Sequence, residues 1–282
     1  MNQPPVTQVP PGLVVITTHG SVTGETCESY AATRVLAIEK GLKNISWAVI
    51  HASLVDKARN DSVLQLLGSP AQWLLFIDGD MQWKPEALLQ ILKTAYSDIP
   101  FADLVGAWCP LRGWPYLPTI DPGSGHWEPV APGGGPIEVM RTGSAFILIK
   151  RHVFEKMPPP WYATNFVPRA LDALQAVNAF ANSKFDGRNP LRDHPDWAVL
   201  ERCAVEASSS GRPPDYGFPW DTLGEDSGFC DRAKQLGFRI FVNTDCTVNH
   251  VDKLVITPER HLDAMRERND SEAYAAGLTR AV

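Results

Sequence analysis

At residues 73–80 the chain reads Trp73-Leu74-Leu75-Phe76-Ile77-Asp78-Gly79-Asp80. Its first five residues are apolar, too few for a buried helix and rich in strand formers, so they predict a central parallel strand covered on both faces. In open α/β sheets the ligand crevice lies beyond the carboxyl ends of the strands, where Asp78 and Asp80 would project. Gly79 between them lets the backbone turn and approach a ligand closely.

Two carboxylates one residue apart repel each other unless a cation lies between them. Hard oxygen ligands suit Mg²⁺ or Mn²⁺, and these ions usually complete their coordination with water and substrate phosphates. The pair Asp78 and Asp80 therefore indicates a site for a divalent metal and a diphosphate. Because an isolated Asp-x-Asp also occurs in turns and helix caps, this interpretation depends on support from the rest of the chain.

Length and composition favour a globular protein. The 282 residues, 44% of them hydrophobic, suffice for one large domain or two smaller ones. No apolar run approaches the roughly 20 residues that span a bilayer, and the polar N-terminus lacks the regions of a signal peptide. We therefore expect a soluble, cytoplasmic protein with a flexible lead-in at residues 1–12. The net charge of −6 gives no overall attraction to nucleic acid or anionic membrane.

Strands and helices alternate along the first part of the chain. Apolar runs predict strands at 13–18 and 47–51, and helical spacing predicts helices at 27–40 and 56–67. The side chains predicted to face inward on these helices are Tyr30, Ala31, Val35 and Ile38, then Val63, Leu64 and Leu67. Such alternation favours a parallel sheet with right-handed crossovers. Neither a Gly-x-Gly-x-x-Gly nor a P-loop motif occurs, so any nucleotide phosphates would have to be held by metal.

Residues 110–136 form a long segment, rich in Pro and Gly, that also contains Arg112 and several aromatic residues. A connection of this length is usually functional or disordered, and its aromatic residues argue against disorder. We expect an acceptor-side or lid loop here; a rigid surface loop that packs its own tryptophans is the alternative. Beyond a helix predicted at 171–181, residues 161–219 give no clear pattern.

A second pair of acids, Glu225 and Asp226, opens a predicted helix that Gly237 ends. Carboxylates at a helix N-terminus are stabilised by the macrodipole. This structural role explains the presence of one acid at the helix start better than the presence of two. A strand, a turn at 243–246 and a further strand that contains His250 follow. A histidine between apolar residues is more often structural than a metal ligand.

From Leu13 to about Val251, the order of these strands, helices and motifs along the chain resembles that of the GT-A fold of nucleotide-sugar glycosyltransferases, family 2 in particular. The order comprises a nucleotide-binding first strand, the acidic strand end, the Gly143-Ser144 strand, the acidic helix start and the late histidine. The resemblance implies an α/β fold with a Rossmann-like, mostly parallel sheet flanked by helices, in a single domain with long acceptor-side loops. The domain would span 13–255, with a nucleotide-sugar-binding half at 13–109 and an acceptor-binding half at 110–255, followed by a C-terminal helical tail at 256–282.

The resemblance also implies a role for each candidate site residue. The ligands of Mn²⁺ or Mg²⁺ would be Asp78, Asp80 and His250, with Asp80 preferred as the direct ligand. The residues that contact the donor would be Thr17, Thr18 and His19 at the end of the first strand, Arg59 and Asn60 at a helix start, and Asp78 with Gly79. Asp226 would deprotonate the acceptor hydroxyl in an inverting transfer, which we favour, while Glu225 orients the substrate or the helix. In a retaining enzyme Asp226 would instead position the acceptor or the donor, and the sequence does not decide between the two.

The expected donor is a UDP-sugar, and two classes of acceptor are favoured over proteins and small molecules. One is a saccharide or glycoconjugate. The other is a hydroxymethylated pyrimidine in phage DNA, because the small format resembles bacteriophage-encoded glycosyltransferases, which act in the host cytoplasm. The basic, aromatic surface for such a base would consist of Arg112, Trp114, Tyr116, Trp127 and Arg141. Neither the donor sugar nor the oligomeric state is predicted.

Two other functions are compatible with the acids. A haloacid-dehalogenase-like phosphatase also places Asp-x-Asp after an apolar strand, but that strand is the first one and Thr or Val follows the acids; here Met81-Gln82 follows. A non-catalytic nucleotide-sugar-binding module would use the same donor residues without turnover.

Overall fold

A computed structural model of the chain describes residues 9–18, 20–113, 115–163, 165–168, 197, 220–251 and 255–275. Its strands are β1 Gly12–Thr18, β2 Ile45–His51, β3 Trp73–Asp78, β4 Met81–Trp83, β5 Leu104–Trp108, β6 Ile120–Asp121, β7 Pro136–Val139, β8 Arg141–Thr142, β9 Phe146–Lys150, β10 Asn165–Pro168, β11 Trp220–Leu223, β12 Ile240–Val251 and β13 Val255–Ile256. Its helices are α1 Gly24–Glu39, α2 Val55–Leu67, α3 Ala87–Lys93, α4 Arg151–Lys156, α5 Glu225–Gln235 and α6 Pro258–Ala275. A π-helical turn, Thr94–Asp98, continues α3.

The chain divides into two compact units, Met1–Ala163 with Glu225–Val282 and Thr164–Gly224. The second unit contains the antiparallel pair β10 and β11. The helix predicted at 171–181 lies outside the described residues, as do His19 and Trp114. Among the residues described, no helix combines the length and the apolar character that crossing a membrane requires.

In the described part of the first unit, nine strands form a mixed sheet in the order β13-β12-β5-β9-β3-β1-β2, with β4 and β7 also paired to β12. Strand β1 runs parallel to β2 and β3, and β12 runs parallel to β5. Strand β9 is antiparallel between β3 and β5. The predicted α/β class with a mostly parallel sheet is therefore confirmed. Strand β3 is central, as predicted, although only one of its two neighbours is parallel to it.

The side chains of β3 alternate between two helical layers. Leu74 and Phe76 pack in the core with residues of α2, α4 and α5, whereas the other apolar residues of the strand pack with α1 and α3. Both side chains are fully buried, and burial of a side chain of this size contributes ~1.5–3 kcal/mol. Gly12 of β1 leaves room for Trp73, because a Cβ there would lie 2.0 Å from the indole ring.

Helix α1 turns a different face to the sheet than its apolar spacing predicts. Val35 and Ile38, predicted to face inward, are 57% and 70% exposed. The buried residues of the helix are Thr26, Ser29, Thr33 and Ala37. Thr26 Oγ1 donates to the carbonyl oxygens of Gly79 and Met81 over 3.1 and 2.7 Å. Hydroxyl groups that bond to the chain after β3 therefore determine which face of α1 is buried. The spacing of apolar residues along the helix does not predict these bonds.

Helix α2 buries Val63, as predicted, but leaves Leu64 59% exposed and buries Leu66 instead. It also buries Arg59, which the sequence places in a polar first turn; only 2% of this side chain is exposed. Arginine is almost never fully buried unless it is paired. Burial of Arg59 therefore requires carboxylates next to its guanidinium group.

The strand that carries His250 is continuous. The turn predicted at 243–246 does not form: β12 is a strand of 12 residues whose register with β5 shifts between Asn243 and Thr247. Polar side chains hold this bulge, since Asn243 Nδ2 donates to Thr94 Oγ1 over 2.8 Å. Beyond the bulge β12 pairs with β4 and β13, which places His250 opposite Met81. His250 is thereby brought next to the acidic turn after β3.

The loop at 110–136 is ordered by internal hydrogen bonds. Asp121, which is 2% exposed, accepts from the backbone N–H of Gly123 over 2.8 Å. Trp108 Nε1 donates to the carbonyl oxygen of Val130 over 2.7 Å. The described part of the loop is therefore bonded both to itself and to β5, and its role as an acceptor-side or lid loop stays a prediction.

Candidate functional site

The two acidic segments meet at one buried guanidinium group. Arg59 of α2 donates from Nη2 to both carboxylate oxygens of Asp78, over 3.1 and 3.2 Å. Its Nη1 donates to Asp226 Oδ1 over 3.2 Å and also to Glu225 Oε1. Asp78 ends β3 and the other two acids begin α5. Arg59 thus connects the carboxyl end of the central strand with the N-terminus of α5.

Aromatic rings cover this guanidinium group. Arg59 Cζ lies 5.5 Å from the centroid of the Tyr162 ring, which stacks on Phe229 with centroids 4.4 Å apart. Burial alone would lower the pKa of Arg59, but the three carboxylates outweigh it and raise that pKa. The arginine therefore stays charged and holds the three carboxylates in place.

Glu225 and Asp226 share one environment but titrate differently. Burial and the adjacent Asp226 raise the pKa of Glu225 to about 7. Burial acts in the same direction on Asp226, but Arg59 and the hydrogen bond with Glu225 outweigh it and lower the pKa of Asp226. The Ser144 N–H supports the ionised form by donating to Asp226 Oδ2 over 3.2 Å. Near neutral pH the pair thus contains an ionised Asp226 beside a partly protonated Glu225.

The end of β1 supports the acidic turn. Thr17 is 2% exposed, and its hydroxyl donates to Asp78 Oδ1 over 3.1 Å. Thr18 is also buried and donates to the carbonyl oxygen of Ser21 over 3.3 Å. Gly79 approaches Thr18 so closely that an added Cβ would lie 3.1 Å from the threonine Cβ. The two threonines therefore orient Asp78 and the turn that follows it.

Asn60 is used within the fold. Its Oδ1 accepts from the backbone N–H groups of Trp161 and Tyr162 over 3.0 and 3.1 Å, and its Nδ2 donates to the carbonyl oxygen of Tyr162 over 2.7 Å. Asn60 thereby anchors the segment that covers Arg59. The contact of Arg59 and Asn60 with a donor stays a prediction.

A second cluster forms at Asp80. His250 Nε2 lies 3.5 Å from Asp80 Oδ2. Arg112 bonds to both residues: its Nη2 donates to Asp80 Oδ2, and its Nε lies 2.8 Å from His250 Nε2. His250 Nδ1 lies 3.1 Å from the carbonyl oxygen of Pro110, so Nε2 is the ring nitrogen that faces Asp80 and Arg112. Burial opposes ionisation of Asp80, but His250 and Arg112 outweigh it and lower the pKa of the carboxyl group.

The donor atoms of Asp80 and His250 fit a divalent cation. Carboxylate and imidazole groups both bind Mn²⁺-type ions, and a metal-ligating imidazole usually donates its other N–H to a carbonyl or carboxylate. Both carboxylate oxygens of Asp78 accept from Arg59, and its role as a metal ligand stays a prediction. Across the described residues, no group of three or more His, Cys, Asp or Glu side chains is arranged to hold an ion.

Arg112 and His250 also line a cavity of about 460 Å³, whose remaining walls are largely apolar. The sequence places Arg112 in a long loop but does not predict its pairing with Asp80, since no periodicity links the two segments. Arg141, assigned to the same predicted surface, pairs with Asp231 through two hydrogen bonds of 2.6 and 2.9 Å.

No protein-family model matches the chain, and none of the curated proteins matches it in sequence. Among solved structures, A197 from STIV is similar with a TM-score of 0.53 and 16% identity, over 89% of this chain and 91% of that one. A glycosyltransferase involved in the glycosylation of the major capsid of PBCV-1 gives a TM-score of 0.28 and 12% identity over 54% and 70%. GalNAc-T7, solved with UDP, GalNAc and Mn²⁺, gives a TM-score of 0.43 and 10% identity, over 92% of this chain and 48% of that one. The fold is GT-A-like, as the sequence resemblance implies.

Proposed function

We propose that the protein is a metal-dependent glycosyltransferase that moves a sugar from a UDP-sugar to an acceptor hydroxyl. One observation carries this proposal: Asp80, which pairs with His250, lies two residues after Asp78, and Arg59 joins Asp78 to Asp226. Sugar transfer needs both a cation site for the departing diphosphate and a carboxylate for the acceptor. The GT-A-like fold supports the same reaction by analogy, and the choice of uridine rests on the family resemblance alone.

Asp226 is the proposed base. It is ionised near neutral pH and 28% exposed, so an acceptor hydroxyl can reach it. The acceptor oxygen bonds to the anomeric carbon, its proton passes to Asp226, and the electron pair of the broken bond leaves with the diphosphate. This single displacement inverts the anomeric carbon. Glu225 and Arg59 keep the carboxylate of Asp226 in position.

Asp80 and His250 would hold Mn²⁺ or Mg²⁺, which supplies positive charge to the leaving diphosphate. Asp78, oriented by Thr17 and Arg59, faces the donor sugar in this proposal. The proposed contacts of base and ribose are the residues at the end of β1, namely Thr17, Thr18 and His19.

The proposed acceptor is a saccharide. A hydroxymethylated pyrimidine in DNA would require the basic, aromatic surface of the 110–136 loop and Arg141. The guanidinium of Arg141 is engaged by Asp231 at 2.6 Å, and the net charge of −6 opposes a polyanion. The saccharide class is therefore favoured, and DNA serves as the comparison in the test.

The test is release of nucleoside diphosphate from a panel of nucleotide sugars with Mn²⁺, with simple glycans or hydroxymethylated DNA as acceptors and mass spectrometry of the products. We expect slow hydrolysis without an acceptor, and its loss in Asp80→Ala or with a chelator. Asp98→Ala, which removes an exposed acid paired with Lys93, should retain activity. Phosphate release from a phosphomonoester alone would indicate a phosphatase, and metal-dependent binding without turnover would indicate a binding module.

A further inference from the structure

Two arginines bond to the acids of the turn after β3, and they differ in exposure. Arg59 is 2% exposed and holds Asp78 from inside the fold. Arg112 is 53% exposed and bonds to Asp80 from the loop side. A buried side chain with three partners is fixed, whereas an exposed one can exchange its partners at little cost. Arg112 is therefore the arginine that can respond to a ligand.

The guanidinium of Arg112 uses the atoms that would bind a cation. Its Nη2 donates to Asp80 Oδ2, and its Nε lies 2.8 Å from His250 Nε2. A divalent ion on Asp80 and His250 would need those same lone pairs and would repel the guanidinium. Arg112 and the metal therefore exclude each other at this position.

The surroundings of Arg112 permit such a movement. The backbone around it is closed by a bridge between Pro110 and Pro118 and by a hydrogen bond of 2.8 Å from Leu111 N–H to the carbonyl oxygen of Leu117. The side chain itself borders the cavity of about 460 Å³. The guanidinium can thus leave Asp80 while the base of the loop stays in place.

We infer that Arg112 is a diphosphate-binding residue that occupies the cation position until donor binds, so that metal and nucleoside diphosphate bind cooperatively. This inference rests on the proposed function. A guanidinium displaced by the metal carries a fork of donors that matches phosphate oxygens. A diphosphate that accepts from Arg112 frees Asp80 and His250 for the metal. By linkage, each ligand then raises the affinity for the other by the same factor.

The experiment compares Arg112→Gln with Arg239→Gln, which removes an equal charge from an arginine that is 46% exposed and paired with Glu138 away from the site. Mn²⁺ affinity is measured alone, and the affinities for UDP, GDP, ADP and CDP are measured at saturating Mn²⁺. Loss of the competing guanidinium should tighten Mn²⁺ binding by about tenfold, and loss of its donors should weaken binding of the best nucleoside diphosphate by about tenfold. Arg239→Gln should change neither by more than about twofold.

The outcomes separate this inference from the proposed function. If the wild-type protein binds Mn²⁺ and a nucleoside diphosphate but Arg112→Gln changes neither affinity, the inference is overturned and the proposed function stands. Tighter Mn²⁺ binding without weaker nucleotide binding also overturns it, because Arg112 would then not reach the diphosphate. If the wild-type protein binds neither ligand, the proposed function and the inference are both wrong.

Discussion

Arg59 Nη2 lies 3.1 Å from Oδ1 and 3.2 Å from Oδ2 of Asp78, so one buried guanidinium engages both oxygens of the first acid of the turn. The same group extends from its other nitrogen to Asp226. Arg59 is therefore a positioning residue for both acids. The site thus consists of a carboxylate cluster around Arg59 and a second cluster of Asp80, His250 and Arg112.

Arg59→Met should destabilise the protein strongly. The substitution leaves three carboxylates facing one another without their counter-ion, and removal of one partner of a buried ion pair costs about 3–5 kcal/mol. Urea unfolding at neutral pH measures the loss. Lys57→Met is the matched control on the same helix, because Lys57 is 58% exposed and pairs with Asp61; it should cost less than about 1 kcal/mol. Equal losses in the two variants would contradict the buried network.

Glu225→Gln should remove a pH dependence of stability. The pKa of Glu225 in the folded protein is about 7, above its ordinary value of 4.5, so the folded state binds this proton more tightly than the unfolded chain. The resulting stabilisation is complete below about pH 4.5 and is lost as the pH rises through about 7. The free energy of unfolding of Glu225→Gln, relative to wild type, should therefore rise by about 1–3 kcal/mol between mildly acidic and mildly alkaline pH. A constant difference would show that Glu225 titrates normally.

Asp226→Asn should abolish sugar transfer while Mn²⁺ binding is retained. The amide keeps the size of the carboxylate but cannot accept the acceptor proton, and general-base catalysis contributes roughly 10²–10⁴-fold. Asp231→Asn, in the same helix, removes an acid that pairs with Arg141 and should leave turnover within about threefold of wild type. Full transfer activity in Asp226→Asn would exclude this residue as the base.

Gly12→Ala should destabilise the central sheet. An added Cβ would overlap the Trp73 indole, 2.0 Å away, and the ring is fully buried. Overpacking of this kind costs typically about 1–3 kcal/mol. Gly20→Ala places a methyl group in open space, with nothing within 4 Å, and thermal unfolding should not distinguish it from wild type. A neutral Gly12→Ala would show that the indole can move aside.

The central strand and its acids were predictable because the signal is local. An unbroken apolar run from Trp73 to Ile77 is stable as a strand that is covered on both faces. The acids that follow the run must then lie at the carboxyl end of that strand. The acidic start of α5 was predictable for the same reason, since Glu225 and Asp226 directly precede an amphipathic helix. The resemblance of the ordered parts supplied the GT-A type of fold.

The role of Arg59 was not predictable, because its partners are distant in sequence. Asp78 lies 19 residues away and Glu225 lies 166 residues away, and without them the residue looks like part of a solvated first turn. The predicted buried face of helix α1 is wrong for a related reason. Hydrogen bonds from Thr26 to the turn after β3 determine which face is buried, so Val35 is left exposed. The continuity of β12 depends on the pairing partners of each half, which local sequence does not contain.

The proposed site is tested most directly by a crystal structure of the protein with Mn²⁺ and UDP, with the anomalous signal of manganese used to locate the ion. We predict a manganese peak bound by Asp80 and His250, a diphosphate on that ion, and Arg59 still holding Asp78 and Asp226 in the same cleft. A peak bound elsewhere, or a nucleotide bound away from this turn, would contradict it.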